Sequence, residues 1–336
     1  MNILFTCVGR RTYLLKYFRE QLNSGDLIIA TDMQLSAPAL SAADIVVQVP
    51  DVYAEDYIDR TLAICQKYSI DVLISLNDLE LPIIAATRKR FWSIGVNLIV
   101  SSEEVIAICF DKYRTANYIL SLGLKTPKTF IDYNKAIESI GKGKLAFPLV
   151  LKPRWGSGSI GIEFVNDLNE MKVIYDLLQK KIEKTILSKA SQNDDNILIQ
   201  EKIIGPEYGV DIMNDLQGNN IAVSVKKKLA MRAGETDKAI TVNNEKIRNI
   251  GSLIGTNLGH VGNLDCDILE MDGEYYVLEL NPRFGGGYPF SHEAGVNMPK
   301  AIIRWIKGEK VDSAILQPIY GKMFAKCDYL VEIKSK

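Results

Sequence analysis

Two carboxylates and an amide, Asp267, Glu279 and Asn281, lie on two apolar runs at 264–270 and 275–281, with Asp265 and Arg283 beside them. The runs flank Met271-Asp272-Gly273 and read as a hairpin, so the turn decides which side chains share a face. A two-residue loop puts Asp267 and Glu279 on opposite faces. A three-residue loop ending in Gly273 pairs 265 with 279 and 267 with 277, which brings both carboxylates and Asn281 to one face. In that register they suit Mg2+, which takes few protein oxygens and completes its shell with water or phosphate. The competing reading is a solvated acidic face. It is weakened by Val277, Leu278 and Leu280, which mark a strand where unpaired carboxylates are costly.

A second group is glycine-rich. Gly156-Ser157-Gly158-Ser159-Ile160-Gly161 matches the dinucleotide pattern G-x-G-x-x-G, but that pattern needs a helix opening inside it, and 162–165 reads as strand. A strand, a glycine loop and a second strand make a hairpin whose tip exposes backbone N–H groups to phosphate oxygens. A plain flexible turn remains open as the alternative. Lys152, on the strand just before the loop, supplies the ammonium a triphosphate needs, and the G-x-x-x-x-G-K-[ST] pattern is absent. A third run, 197–207, ends with Glu201, Ile203 and Glu207 around a Gly-Pro turn. It could offer backbone groups to an adenine edge and a carboxylate to ribose, or be a strand and turn only.

The elements that must position these groups are legible from periodicity. Residues 1–110 alternate short apolar runs (3–7, 27–30, 45–49, 72–75 and 96–100) with helical stretches such as 54–68 and 79–91, the pattern of a parallel α/β domain. Ligands bind beyond the carboxyl ends of such strands, which points to the loops carrying Val8, Gly9, Arg10 and Arg11 and carrying Asn77, Asp78, Leu79 and Glu80. Ser101-Ser102-Glu103-Glu104 opens a helix to about Phe110, and Asp111 caps the next, which Gly123 stops. From about 128 the pattern becomes α+β and mainly antiparallel, with strands at 147–152, 161–165, 197–203, 210–213 and 221–229 besides the acidic hairpin. Helices are expected at 167–190 and 243–258, and a flexible loop at 188–195. The division is 1–110, 111–196 and 197–336.

Bulk properties narrow the function class. The chain has 336 residues, 40 Lys and Arg against 41 Asp and Glu, and a net charge of -1, so no whole-molecule field draws it to nucleic acid or an anionic membrane. Cys7, Cys65, Cys109, Cys266 and Cys327 are widely spaced with no Cys-x-x-Cys, as reduced thiols of a cytoplasmic protein. No signal-like or membrane-spanning run is legible.

In the order Lys112, Lys152, glycine loop, Gln200-Glu201, Glu207, Asp267, Glu279 and Asn281, the sequence resembles the ATP-grasp superfamily over about 105–300. It is similar to one half of the carbamoyl-phosphate synthase large subunit and to small single-copy carboxylate-amine ligases. The resemblance implies an ATP-grasp fold after the parallel-sheet domain, and the cofactors ATP and Mg2+, the latter as two ions. It implies that Lys112 and Lys152 hold phosphates and that Gly156, Ser157, Gly158, Ser159 and Gly161 close over them. Glu201 and the Ile203 backbone would read adenine, Glu207 would hold ribose, and Asp267, Glu279 and Asn281 would hold the ions. Asp267 departs mildly from the glutamate or glutamine common there.

Arg283 follows Asn281-Pro282 as in the family's N-P-R run, and would fix the substrate carboxylate or the transferring phosphoryl group. Arg232 could do the same from another strand, or be a surface ion-pair partner. Lys226, Lys227 and Lys228 should place at least one ammonium toward the site, one of them at phosphate, with a solvated edge accounting for the other two. His260 and His292 receive no catalytic role. The implied reaction is phosphorylation of a carboxylate and transfer of the acyl group to an amine or similar nucleophile, giving ADP and phosphate. Rivals are carbamoyl-phosphate synthesis, which calls for two such halves, a silent ATP-binding module, and a nicotinamide oxidoreductase, which needs a helix at 162. Small-molecule partners and a possible homodimer are expected. Arg10, Arg11, Asn77, Asp78 and Glu80 are the candidates for substrate choice.

Overall fold

The computed structural model describes residues 1–156, 161–185 and 195–333. Among them, β1 (Ile3–Thr6), β2 (Ile28–Asp32), β3 (Ile45–Gln48), β4 (Val72–Ser75) and β5 (Asn97–Leu98) form an all-parallel sheet in the order β3-β2-β1-β4-β5. The order reverses between β1 and β4, so their carboxyl-end loops, which carry Arg11 and Asp78, open on one crevice. The helix expected over 79–91 is instead two, Leu81–Ala86 and Arg88–Trp92. They part at Thr87, whose hydroxyl bonds back to the carbonyls of Ile83 at 2.9 Å and Ile84 at 3.3 Å, the local competition that disfavours threonine inside helices.

β6 (Thr129–Phe130), β7 (Leu149–Pro153), β8 (Glu163–Val165) and β9 (Ile197–Glu201) make a small antiparallel sheet in the order β6-β9-β7-β8. β9 pairs along its whole length with β7, so this sheet draws strands from both sides of the expected division at 196/197. The helix Leu168–Glu183 covers it, capped by Asp167. Its expected continuation to 190 and the loop at 188–195 fall mostly outside the described residues.

The large sheet runs β14-β13-β10-β11-β12-β15 and is antiparallel. It consists of β10 (Glu207–Asn214), β11 (Asn220–Arg232), β12 (Glu235–Thr241), β13 (Gly262–Met271), β14 (Glu274–Asn281) and β15 (Met323–Ala325). β6 and β15 are too short, and β12 too polar, to stand out by periodicity. Helices Glu103–Phe110 and Lys112–Ser121 share one apolar core with this sheet through Val105, Cys109 and Ile119, so the expected division at 110/111 cuts between packed neighbours. The helix Met298–Ile306 returns to the N-terminal sheet, where Met298, Ala301 and Ile302 join a core with Ile3, Phe5 and Ile28. Phe284 and Tyr288, just after β14, join the same core and set the end of β14 against the first sheet.

Candidate active site

β7 buries Leu149 and Leu151 in the core of the small sheet, and strand alternation sends Lys152 to the other face, where it is 4 % exposed. Lys112 opens its helix from the large-sheet side. Asp111 caps that helix, accepting from the Tyr113 N–H at 3.0 Å, and its two oxygens also receive Arg154 Nε at 2.8 Å and Nη2 at 2.7 Å. The Lys112 N–H donates to the Arg154 carbonyl at 3.2 Å, and the Lys112 ammonium donates to the Gly156 carbonyl. The strand bearing one lysine and the helix bearing the other are therefore tied together at Arg154. Burial pushes Lys112 down. It also brings Lys152 down to about 8, helped by the Lys112 charge and opposed by Glu279 and Asp267. Two buried ammoniums in mutual repulsion are what a polyphosphate would relieve.

β8 follows the glycine loop antiparallel to β7, with Leu149 opposite Val165 and Leu151 opposite Glu163. A strand at 163 removes the helix a dinucleotide fingerprint requires, so the nicotinamide reading is excluded. Gly156 and Gly161 flank the loop. Ser157, Gly158 and Ser159 lie outside the described residues.

The acidic hairpin reaches its arrangement by a different route from the one expected. The turn is two-residue, with Met271 opposite Glu274, and Asp272 and Gly273 both left-handed at φ 54° and 77°. A bulge between Asp267 and Ile268 then shifts the register, so Asp267 faces Glu279 and Asp265 faces Asn281, correcting the pairing of 265 with 279 and 267 with 277. The extra residue on β14 restores the common face that the short turn would have lost. Burial raises Asp267 to about 7, with Asp265 and Glu279 adding to it against the pull of Lys228. Among the described residues no group of three or more His, Cys, Asp or Glu side chains forms a ready cation cage. Asp267 opposite Glu279, with Asn281 further along the same strand, offers the few protein oxygens that Mg2+ takes when phosphate and water complete its shell.

Lys228 bridges Glu207 and Asp267, at 2.6 Å to each, and Lys226 is wholly buried on Asp211 at 2.5 Å. Two of the three lysines, at least one of which was expected here, turn to this face, because alternate residues of β11 point the same way. Glu201 accepts the Lys128 N–H at 3.2 Å, Gln200 bonds Thr129 at 2.8 Å, and Ile203 is buried where the chain leaves β9 for β10.

Arg283 is 9 % exposed. Its Nη2 meets Asp78 of the β4 loop at 2.7 Å and its Nη1 meets Asp265 at 3.5 Å. Asp78, Lys112, Gly156, Glu279 and Asn281 line one small pocket, so residues from all three sheets converge. Arg232 does not join them. It sits at the end of β11, half-exposed, paired with Asp328 at 2.5 Å and Asp237 at 3.0 Å. Glu80 is also corrected as a substrate contact: it is fully buried and accepts the hydroxyls of Thr6 at 2.7 Å, Ser75 at 2.5 Å and Tyr57. His260 is buried against the Ile212 carbonyl at 2.9 Å, and His292 stacks on Tyr17 at 3.6 Å. Arg154 is the residue the sequence reading did not single out, and Lys228 is the one of the lysine run that reaches the acidic face. The signal for Arg154 was its spacing of two from Lys152.

Comparison with known proteins agrees with this geometry. Residues 3–99 match the family of PylC-like N-terminal domains. Over 235 residues the chain is 26% identical to the D-alanine–D-alanine ligase of Campylobacter lari, spanning 68% of this chain and 67% of that one. It is 24% identical over 225 residues to the carbamoyl phosphate synthase large chain of Neisseria meningitidis, spanning 64% of this chain and only 20% of that one. In fold it is similar to the biotin carboxylase domain of Hydrogenobacter thermophilus 2-oxoglutarate carboxylase, crystallised with MgADP, ADP and bicarbonate. That likeness has a TM-score of 0.73 at 16% identity and covers 92% of this chain and 70% of that one. The ATP-grasp domain itself matches residues 109–287, just over half of the sequence, and the chain belongs to the ATP-grasp family.

Proposed function

We propose that this protein is an ADP-forming carboxylate–amine ligase that uses ATP with Mg2+. The observation that carries the reading is the convergence of two buried, mutually repelling lysines, Lys112 and Lys152, on the carboxylate pair Asp267 and Glu279. A triphosphate between them offers anions to the lysines and oxygens to an ion held by the carboxylates and Asn281. When bound, Mg2+ would offset charge on the phosphate oxygens. Two such ions are part of the proposal.

A substrate carboxylate oxygen attacks the γ-phosphorus, the bond to ADP breaks, and an acyl phosphate forms. Lys112 and Lys152 hold the phosphates in line and offset the charge that spreads over the transferring group. Arg283, held between Asp78 and Asp265, presents a guanidinium where the carboxylate and the transferring group meet. An amine then attacks the acyl carbon and phosphate leaves. Glu201 and the Ile203 backbone take the adenine, and Glu207 the ribose. Arg232 has no part in this reading, because it sits half-exposed at the end of β11 and does not line the pocket where the other groups meet.

The test is ADP release from ATP and Mg2+ with pools of carboxylates and amines, run beside Glu279→Gln. Release that depends on a pool and disappears in the variant supports a ligase. Tight ATP binding without stimulation by any pool supports a silent nucleotide-binding module instead.

A further inference from the structure

Beyond the phosphate-handling groups, the glycines after Arg283 bring two more carboxylates against bare backbone. A Cβ on Gly285 would lie 2.1 Å from the Asp265 carboxyl group, and one on Gly286 would lie 2.8 Å from that of Glu235. Nearby are three donors that are shielded from solvent and have no acceptor: Arg283 Nε, Arg11 Nε and the Tyr13 hydroxyl. Arg11 closes the loop after β1, with its Nη1 fixed on the Leu76 carbonyl, and Tyr13 lies in the first turn of the helix Thr12–Arg19. Glu235 opens β12, so three segments remote in sequence meet at one place.

The fields agree with the geometry. Burial lifts the Tyr13 hydroxyl to about 12, and the charges it feels are Arg11, Glu235, Arg283 and Asp265. Burial works to raise Glu235, yet Lys326, Arg11 and Arg10 together hold it below its ordinary value, so it stays a carboxylate. Each buried donor left without an acceptor forfeits its hydration with nothing in return, and three around one spot are more than a fold keeps without a use for them. A carboxylate accepts from all three. The opposite pole is already marked: the Lys326 ammonium rests on Glu235 at 3.0 Å, with the Glu235 side chain 53% exposed, a weak pair that a ligand could replace.

We infer that this cluster binds the substrate as an amino acid, with its carboxylate on Arg11, Tyr13 and Arg283 and its ammonium taking the place of Lys326 on Glu235. The inference rests on the ligase reading above and names the class of carboxylate. A dicarboxylate would set its second charge against Glu235, and a plain monocarboxylic acid would leave Glu235 unused.

The test pairs a panel of α-, β- and ω-amino acids with the same acids lacking the amine. Heats of binding are measured with a non-hydrolysable ATP analogue present, and ADP release is measured with ATP and Mg2+. At least one amino acid should bind and turn over, at least about tenfold better than its deaminated partner, the usual worth of one charge-assisted hydrogen bond. Glu235→Gln and Tyr13→Phe should each raise the KM for that amino acid, Glu235→Gln by about tenfold or more, while the KM for ATP and the melting temperature hold. The inference is overturned if a deaminated acid does as well, if Glu235→Gln leaves the amino-acid KM unmoved, or if no amino acid binds while the ATP analogue does. Failure of the wild-type protein to bind the analogue at all would instead remove the ligase reading beneath it.

Discussion

Cutting the link between Arg154 and Asp111 should loosen ATP without unfolding the protein. The guanidinium meets both carboxylate oxygens, at 2.8 Å and 2.7 Å, with side chains 14% and 7% exposed. Exposed pairs are worth about 0.2–1 kcal/mol, and breaking buried ones costs about 3–5 kcal/mol, so a bidentate pair at this depth should couple by about 2 kcal/mol. That energy holds the helix bearing Lys112 against the strand bearing Lys152. If it is felt in nucleotide binding, the KM for ATP rises about 30-fold in Arg154→Ala. Asp111→Asn is the matched partner, because asparagine still caps the helix. Initial rates of ADP formation for the two single variants and the double variant make a double-mutant cycle. The reasoning requires the double variant to be little worse than either single one. Additive losses, or a KM for ATP within about threefold of wild type in Arg154→Ala, would refute the tie between the lysines.

Three further outcomes follow from the same geometry. Burial holds Lys152 at about 8, below its ordinary value, so the ammonium that phosphate needs is lost as pH rises through that point. ATP affinity of the free protein should weaken between about pH 7 and 9 and stay flat in Lys152→Arg, read by nucleotide titration. Gly285→Ala drives a methyl group into the Asp265 carboxyl group, 2.1 Å away, and should lower kcat at least about tenfold while leaving ATP binding within a few-fold. Burial lowers His260 to about 4, so the stability of its neutral form is fully present above the unfolded value of about 6.5 and is lost as pH falls toward 4. Urea unfolding should show up to about 3 kcal/mol of acid loss in that window, and His260→Gln should show less.

Much of the fold was legible because its strands are either fully buried apolar runs, as in β1 and β4, or clean alternations, as in β13 over 264–268. What escaped was set by contacts that no local pattern records. β15 is three residues that pair with β12 only because the chain returns from the far helix, and β9 joins the small sheet through partners 44 to 52 residues away. The acidic face was legible as a set of residues, but its register was not. Asp272-Gly273 favours the two-residue turn, and the bulge that compensates lies five residues back, where nothing in the residue types marks it. Arg232 and Glu80 show the complementary limit. Charge and position made both plausible as ligands of a substrate, yet Asp328 comes from the distant C-terminal tail, and the three hydroxyls around Glu80 come from two strands and a helix.

The central claim is that a carboxylate oxygen passes to phosphate through an acyl phosphate. It is tested most directly by supplying carboxylate substrates enriched in heavy oxygen with ATP, Mg2+ and an amine pool, and weighing the inorganic phosphate released by mass spectrometry. The account predicts one heavy oxygen in the phosphate for each product molecule formed, and none when Glu279→Gln replaces the wild-type protein. Product formed with phosphate free of the label would contradict it.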